Sequence, residues 1–444
     1  MQTFFTPEQL QDPGTAEANK ILRACVHCGF CTATCPTYAV LGDELDSPRG
    51  RIYLMKDMLE KGRDPDPATV LHIDRCLSCL ACMTTCPSGV HYRHLVDHAR
   101  AYIEARYRRP LMDRLLRRTL AFVLPHPTRF RLALLAARIG RPFAGLLPDA
   151  RLRAMVRLAP SSIPPVSRAE DPQTHPAQGE RKLRVALLTG CAQRALDPGI
   201  NEAAIRLLTR MGAEVVIPKG QGCCGALTHH MGREDQARAM AAANVRAFAA
   251  EHAREPLDYV LVTASGCGTT VKDWGHLLGG TPDEAAAQAM GGLARDVSEV
   301  LNEMKLPELP PNGLKVAYHS ACSLQHGQRV KIEPMQLLKR AGFSVVQPRD
   351  SHLCCGSAGT YNILQPEIAG ELGRRKARML EETGADVVAA GNIGCMIQIG
   401  QNAGLPVLHT AELLDWAYGG RRPATLPEKD RSRGNQAGVP LTSA

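Results

Sequence analysis

The chain has 444 residues, 44% hydrophobic and 22% charged, with a formal net charge of +9. That length predicts two or three domains of a globular protein, and no run of about 18 apolar residues offers a transmembrane helix. Sixteen cysteines exclude an ordinary cytosolic composition. The opening MQTFFTPEQLQDPGTAEANK has no basic segment followed by an apolar run, so no secretory signal is visible and a secreted disulfide scaffold is not expected. The expectation is a cytoplasmic protein whose reduced thiols serve metal or redox chemistry.

Residues 1–105 carry two runs of one pattern, Cys25, Cys28, Cys31 and Cys35 before Pro36, and Cys76, Cys79, Cys82 and Cys86 before Pro87. A [4Fe–4S] cube needs four thiolates, and two-residue gaps let one loop wrap three of its corners. The fourth cysteine, followed by Pro, reaches the other cluster. On that rule Cys25, Cys28, Cys31 and Cys86 hold one cluster, and Cys76, Cys79, Cys82 and Cys35 the other. Structural zinc is the alternative, but its usual pattern is two separated Cys-x-x-Cys pairs. With all eight thiolates used, the pair forms a relay for single electrons. Arg75 and His27 adjoin these cysteines and read either as tuning groups or as plain loop residues. Between the runs, Ser47 as N-cap and Pro48 at the first position predict a helix through Glu60, the mark of a helical ferredoxin domain.

Residues 106–181 are rich in Arg, Leu, Ala and Pro. Arg114–Leu124 and Arg129–Ile139 read as short basic amphipathic helices, and 160–178 as a Pro-rich linker. Pro125, Pro127 and Gly140 interrupt the amphipathic face, which favours packing on the ferredoxin domain or partner subunits over anionic lipid. No aromatic platform is interleaved with the arginines, so nucleic acid is not expected.

From Lys182 the pattern becomes α/β, and it repeats. Strands are predicted at 183–189, 214–218 and 258–263, and again at 314–318, 343–347 and 386–390. Helices at 201–211 and 234–250 have counterparts at 334–341 and 369–383. One set of cysteines is Cys191, Cys223, Cys224 and Cys267. The other is Cys322, Cys354, Cys355 and Cys395. In both sets 31 residues separate the first cysteine from the adjacent pair, a self-similarity that outranks any single-segment reading. Strand–helix alternation implies a parallel sheet with its ligands at the strands' C-terminal edge. Domains are expected at 1–105, 106–181, 182–306 and 313–419, with a disordered tail over 420–444.

The Cys-Cys-Gly blocks resemble the cysteine-rich CCG domains of heterodisulfide reductase, of the C subunit of anaerobic glycerol-3-phosphate dehydrogenase, of lactate-utilisation proteins and of the iron–sulfur subunit of glycolate oxidase. In heterodisulfide reductases the motif ends in Cys-x-x-Cys, and five cysteines per half hold a non-cubane cluster. Here Cys267 has Ala264 and Thr270 three positions away, and Cys395 has Asn392 and Gln398. Each half has four cysteines, which leaves an ordinary cluster, a zinc ion or buried reduced thiols as alternatives.

To about Tyr418 the chain resembles the glycolate oxidase iron–sulfur subunit. The resemblance is carried by Cys25–Tyr38, Asp46-Ser-Pro-Arg-Gly-Arg-Ile52, Leu324-Gln-His-Gly327 and His352–Asn362. It implies a mixed fold, an α-helical ferredoxin domain followed by a duplicated α/β CCG domain. It also implies separate FAD-binding catalytic subunits that oxidise glycolate, with D-lactate a second substrate. Electrons would pass to a quinone or another respiratory-chain acceptor, with peripheral contact on the cytoplasmic face of the inner membrane. No G-x-G-x-x-G opens a helix after a strand and no Walker loop occurs, so FAD is expected on the partners only. A heterodisulfide-reductase-like thiol–disulfide enzyme is the alternative, as is the iron–sulfur subunit of a D-lactate or glycerol-3-phosphate dehydrogenase. His229, His230, His326 and His352 flank the cysteine blocks and read as turn residues.

Overall fold

In a computed structural model, residues 1–427 are described. The first hundred residues fold as helices around two cysteine loops. Ser47 Oγ accepts the Gly50 N–H and Pro48 opens the helix Pro48–Glu60, as its capping signals predict. Ile52, Met55, Met58 and Leu59 of this helix pack on Ile21 and Leu22 of Pro13–Ala24 and on Leu95, Val96 and Ile103 of Tyr92–Arg106.

Two sheets follow. The first contains β1 (Gln173–His175), β2 (Leu183–Leu188), β3 (Ala213–Ile217), β4 (Tyr259–Val262) and β5 (Ala294–Asp296), in the order β1-β3-β2-β4-β5. The second contains β6 (Lys315–His319), β7 (Ser344–Val346), β8 (Val387–Ala390) and β9 (Val407–His409), in the order β7-β6-β8-β9. All pairings are parallel except β1 with β3. With β1 set aside the two orders coincide, so the cysteine repeat is a repeat of fold. The sheets share one core, in which Val185, Leu187 and Val215 meet Val316, Tyr318 and Val387.

Three segments differ from their sequence reading. The stretch 160–178 is not all linker, because β1 pairs antiparallel with β3 from Gln173 opposite Ile217. Its sequence, polar and set between Pro172 and Pro176, suits only a sheet edge. The basic connector has a third helix, Ala150–Leu158, capped by Asp149. Of the expected tail over 420–444, residues 428–444 lie outside the described residues. Within 421–427 Leu426 is buried in the shared core, while Arg421, Arg422, Ala424 and Thr425 are exposed. Among the described residues no helix is long and apolar enough to cross a membrane.

Candidate metal centres and the cysteine cavity

Both ferredoxin loops are built on one backbone shape. His27 and Gly29 in the first and Ser78 and Leu80 in the second have positive φ, 60° and 88° against 50° and 63°. A left-handed residue two and four places after the first cysteine curls each loop inwards. His27 thus has a conformational part, and its side chain is exposed.

The loops line two small cavities. One is bounded by Cys25, Cys28, Cys31 and Cys86, with Cys82 in its wall. The other is bounded by Cys35, Cys76, Cys79 and Cys82. Each run thus sends its fourth cysteine to the other run's cavity. Burial pushes the Cys79 and Cys82 thiols well above the ordinary value, and the neighbouring cysteines add to it. Four thiols crowded together cannot all ionise without a cation among them, so these pockets suit a metal–sulfur group.

Behind the second cavity lies Arg51, 1% exposed. Its guanidinium pairs with Asp46 at 3.1 Å, donates to Thr37 Oγ1 at 3.0 Å and to the His72 carbonyl at 2.7 Å, and faces Cys35 Sγ at 3.8 Å. Arg75 reaches the other Asp46 oxygen at 2.9 Å, so it supports this pair. Gly50 allows the approach, since a Cβ there would overlap the Glu44 carbonyl. The Asp46–Ile52 motif therefore places a buried positive charge behind cysteine sulfur. Burial raises the Cys76 thiol, but Arg51 and Arg100 outweigh it and its pKa falls below the ordinary value. Tyr92 Oη and the Ser78 N–H also donate to Cys76 Sγ, at 3.6 and 3.4 Å.

The second ferredoxin loop abuts the second cysteine-rich half. Leu77 packs with Cys354, Tyr361 and Ile368, and Cys79 and Cys322 lie against this cluster. Tyr361 Oη donates to the Arg75 carbonyl at 3.0 Å. Thr84 Oγ1 and His326 Nδ1 are 2.8 Å apart, so His326 joins two domains instead of serving a free turn.

All eight cysteines of the two halves line one cavity of about 350 Å³. In the first half Cys191 and Cys223 approach to 3.6 Å, and in the second Cys322 and Cys354 to 3.7 Å. The glycine of each Cys-Cys-Gly block is required twice over. Gly225 and Gly356 have φ of 93° and 91°. A Cβ would come within 2.8 Å of the Ala237 carbonyl in one half and 2.7 Å of the Ala369 carbonyl in the other. Three residues before Cys395, at one of the two positions open to a fifth cysteine, Asn392 caps the helix Ile393–Gly400 by accepting the Gly394 N–H at 2.8 Å. The outer wall of the cavity comes from the basic connector, including Leu120, Val123, Phe130 and Leu134.

This combination defines a class: an electron-transfer protein with an N-terminal dicluster domain and a duplicated cysteine-rich domain. The 4Fe-4S dicluster domain family matches residues 21–90, and the cysteine-rich CCG domain matches 185–272 and 316–400. Over 94% of this chain and 99% of the other, the sequence is 42% identical to the glycolate oxidase iron–sulfur subunit of Escherichia coli K12. It is 34% identical to the probable glycolate oxidase iron–sulfur subunit of Bacillus subtilis 168, over 89% and 94% of the two chains. Lactate utilization protein A of Geobacillus kaustophilus is 28% identical over 52% of this chain and 99% of its own. A hypothetical protein from Helicobacter pylori shares the fold, at a TM-score of 0.53 and 11% identity, over 94% of this chain and 75% of that one. The chain belongs to the family of glycolate oxidase iron–sulfur subunits, and it binds iron–sulfur clusters.

Arg51, Tyr92 and the contact between Cys79 and the second half escape a reading by spacing alone. The signal for Arg51 is present in the quoted motif, but its partners Thr37 and His72 are remote in sequence.

Proposed function

We propose that this chain is the electron relay of a glycolate-oxidising complex, taking electrons from FAD-binding catalytic subunits and passing them to a membrane quinone. Cys25, Cys28, Cys31 and Cys86 hold one [4Fe–4S] cluster, and Cys76, Cys79, Cys82 and Cys35 hold a second. Clusters bound there exchange one electron at a time. The observation that carries the reading is the unbroken line of cysteine sets, from exposed Cys28 through Cys79 to Cys322 and Cys354. Electrons enter at the outer end. There Val26, Phe30 and Tyr53 are 67%, 63% and 57% exposed around the first loop, an apolar patch suited to a protein partner.

They leave at the cysteine cavity. Its apolar outer wall belongs to the helices Leu111–Val123 and Pro127–Gly140. On their opposite faces Leu111, Phe122, Leu132 and Ile139 are 72%, 59%, 62% and 76% exposed. Around them Arg114, Arg118, Arg129 and Arg138 are exposed, whereas Asp113, the acid on these helices, pairs with Arg109, Arg117 and Arg151. An apolar stripe edged by arginines that have no acidic partner among the described residues suits anionic lipid. This weighs against the packing role favoured by the helix-breaking residues, since only the inner face, with Leu116 and Leu120, is covered. The cavity behind these helices, lined by the eight cysteines, is the place where a lipid-soluble acceptor would take the electrons.

Reconstitution tests the function. The purified chain alone gives no glycolate-dependent quinone reduction, and adding flavin-bearing partner subunits restores it. Turnover by the isolated chain contradicts the proposal.

A further inference from the structure

The two cysteine-rich halves are copies in fold but not around their sulfur atoms. Three residues before its first cysteine, the first half has Leu188 at the end of β2. The second has His319 at the end of β6. His319 is 1% exposed, and neither ring nitrogen has a hydrogen-bond partner. Burying an imidazole with both nitrogens unpaired is costly, and leucine fills the same place in the sister half without that cost. Packing therefore does not account for the histidine.

Its surroundings do. One ring nitrogen of His319 and the sulfur atoms of Cys355 and Cys395 all lie within 4.8 Å of one another, and all three residues are buried. Among the described residues no comparable three-donor group includes a cysteine of the first half. Cys322 and Cys354 close the same pocket, with their sulfurs 3.7 Å apart. A tetrahedral metal with bonds to sulfur of about 2.3 Å sets its ligand atoms about 3.8 Å apart. A second difference has the same sense. Lys376, 1% exposed, stands behind Cys354 and Cys355 with its ammonium donating to the Asp350 carbonyl at 3.1 Å. The matching Asn244 of the first half is neutral and bonds to backbone at Gly222, Cys223 and Met240. The second half thus offers a nitrogen donor and a counter-charge for thiolates that the first half lacks.

We infer that His319 is a nitrogen ligand, together with Cys355 and Cys395, of a transition-metal centre confined to the second cysteine-rich half. A mixed thiolate and imidazole set takes iron or zinc. The two halves are then inequivalent, one with nitrogen in its coordination shell and one with sulfur alone around its pocket. This inference rests on the second half holding metal, not on the relay through the N-terminal clusters.

The test uses the full chain purified without oxygen, analysed for iron, sulfide and zinc. Bound zinc is examined by zinc-edge X-ray absorption, and bound iron by pulsed EPR for coupling to imidazole nitrogen. Wild-type protein shows metal beyond that of the N-terminal clusters, with nitrogen in its shell. His319→Leu, which copies the sister half, loses that metal or that nitrogen and keeps the N-terminal clusters. His319→Cys retains the metal with sulfur replacing nitrogen. Metal content and spectra unchanged in His319→Leu overturn the inference, as does an all-sulfur shell in the wild type. If His319→Leu does not fold, the wild-type spectrum alone decides. A chain with no metal beyond its N-terminal clusters also overturns it, and leaves the relay to be judged by whether electrons still cross Cys79.

Discussion

Arg51 shows how much can depend on one side chain. It is buried with Asp46 and serves Thr37, the His72 carbonyl and Cys35 together. Removing one member of a buried ion pair leaves the other uncompensated, at about 3–5 kcal/mol. Arg75 still reaches Asp46, so Arg51→Met falls at the low end, about 3 kcal/mol. Denaturant titration of the anaerobic protein measures it, and faster bleaching of the cluster absorbance accompanies it. Gly356→Ala is the second residue-scale case. A left-handed alanine costs about 1–2 kcal/mol, and the clash with Ala369 adds to that. A fall of at least about 2 kcal/mol in thermal or denaturant stability is expected, and the sister change Gly225→Ala should match it. Equal effects at two positions 131 apart in sequence would reflect one backbone requirement met twice. The glycine's place is legible in the sequence, because Cys-Cys-Gly recurs. Arg51's role is not, because Asp46 lies in the same motif but Thr37, the His72 carbonyl and Cys35 are brought to it only by folding.

At the scale of elements, six strands were legible because they are apolar runs between turn signals, such as Leu183–Leu188 and Val387–Ala390. Gln173–His175, Ala294–Asp296 and Val407–His409 were not. Each is three residues long, and the first is polar. Such segments become strands only because a longer neighbour offers free backbone groups. The connector helices were legible as helices, but not by which face they hide. Periodicity shows an apolar stripe and cannot say whether protein or lipid covers it. Here Leu116 and Leu120 turn inwards, whereas Phe122, Leu132 and Ile139 remain outside. Replacing Phe122, Leu132 and Ile139 together by Glu removes apolar contact and inserts negative charge. We expect at least a tenfold loss of binding to vesicles containing phosphatidylserine in a sedimentation assay. Wild-type binding should weaken with salt, since each arginine near an anionic surface contributes about 1 kcal/mol. Catalytic transfer to a water-soluble dye should be unchanged.

At the scale of the whole molecule, the spacing of the cysteines announces a dicluster domain and a duplicated one. It does not announce that the ferredoxin domain touches both halves, the first through Arg93, which pairs with Asp273 at 2.9 Å, and the second through the loop that carries Cys79. The second contact joins residues as far apart as Arg75 and Tyr361, 286 positions along the chain, and no local pattern encodes it. It gives the relay its direction, because Cys79 faces the second half and not the first. Electrons bound for the second half therefore have to cross at Cys79. In the reconstituted complex, glycolate is added without oxygen, and flavin absorbance and quinone reduction are followed together. For Cys79→Ser we predict that the flavin still bleaches at the wild-type rate while quinone reduction falls at least a hundredfold. Quinone reduction at the wild-type rate in that variant, with cluster loss confirmed by iron analysis, would contradict the relay.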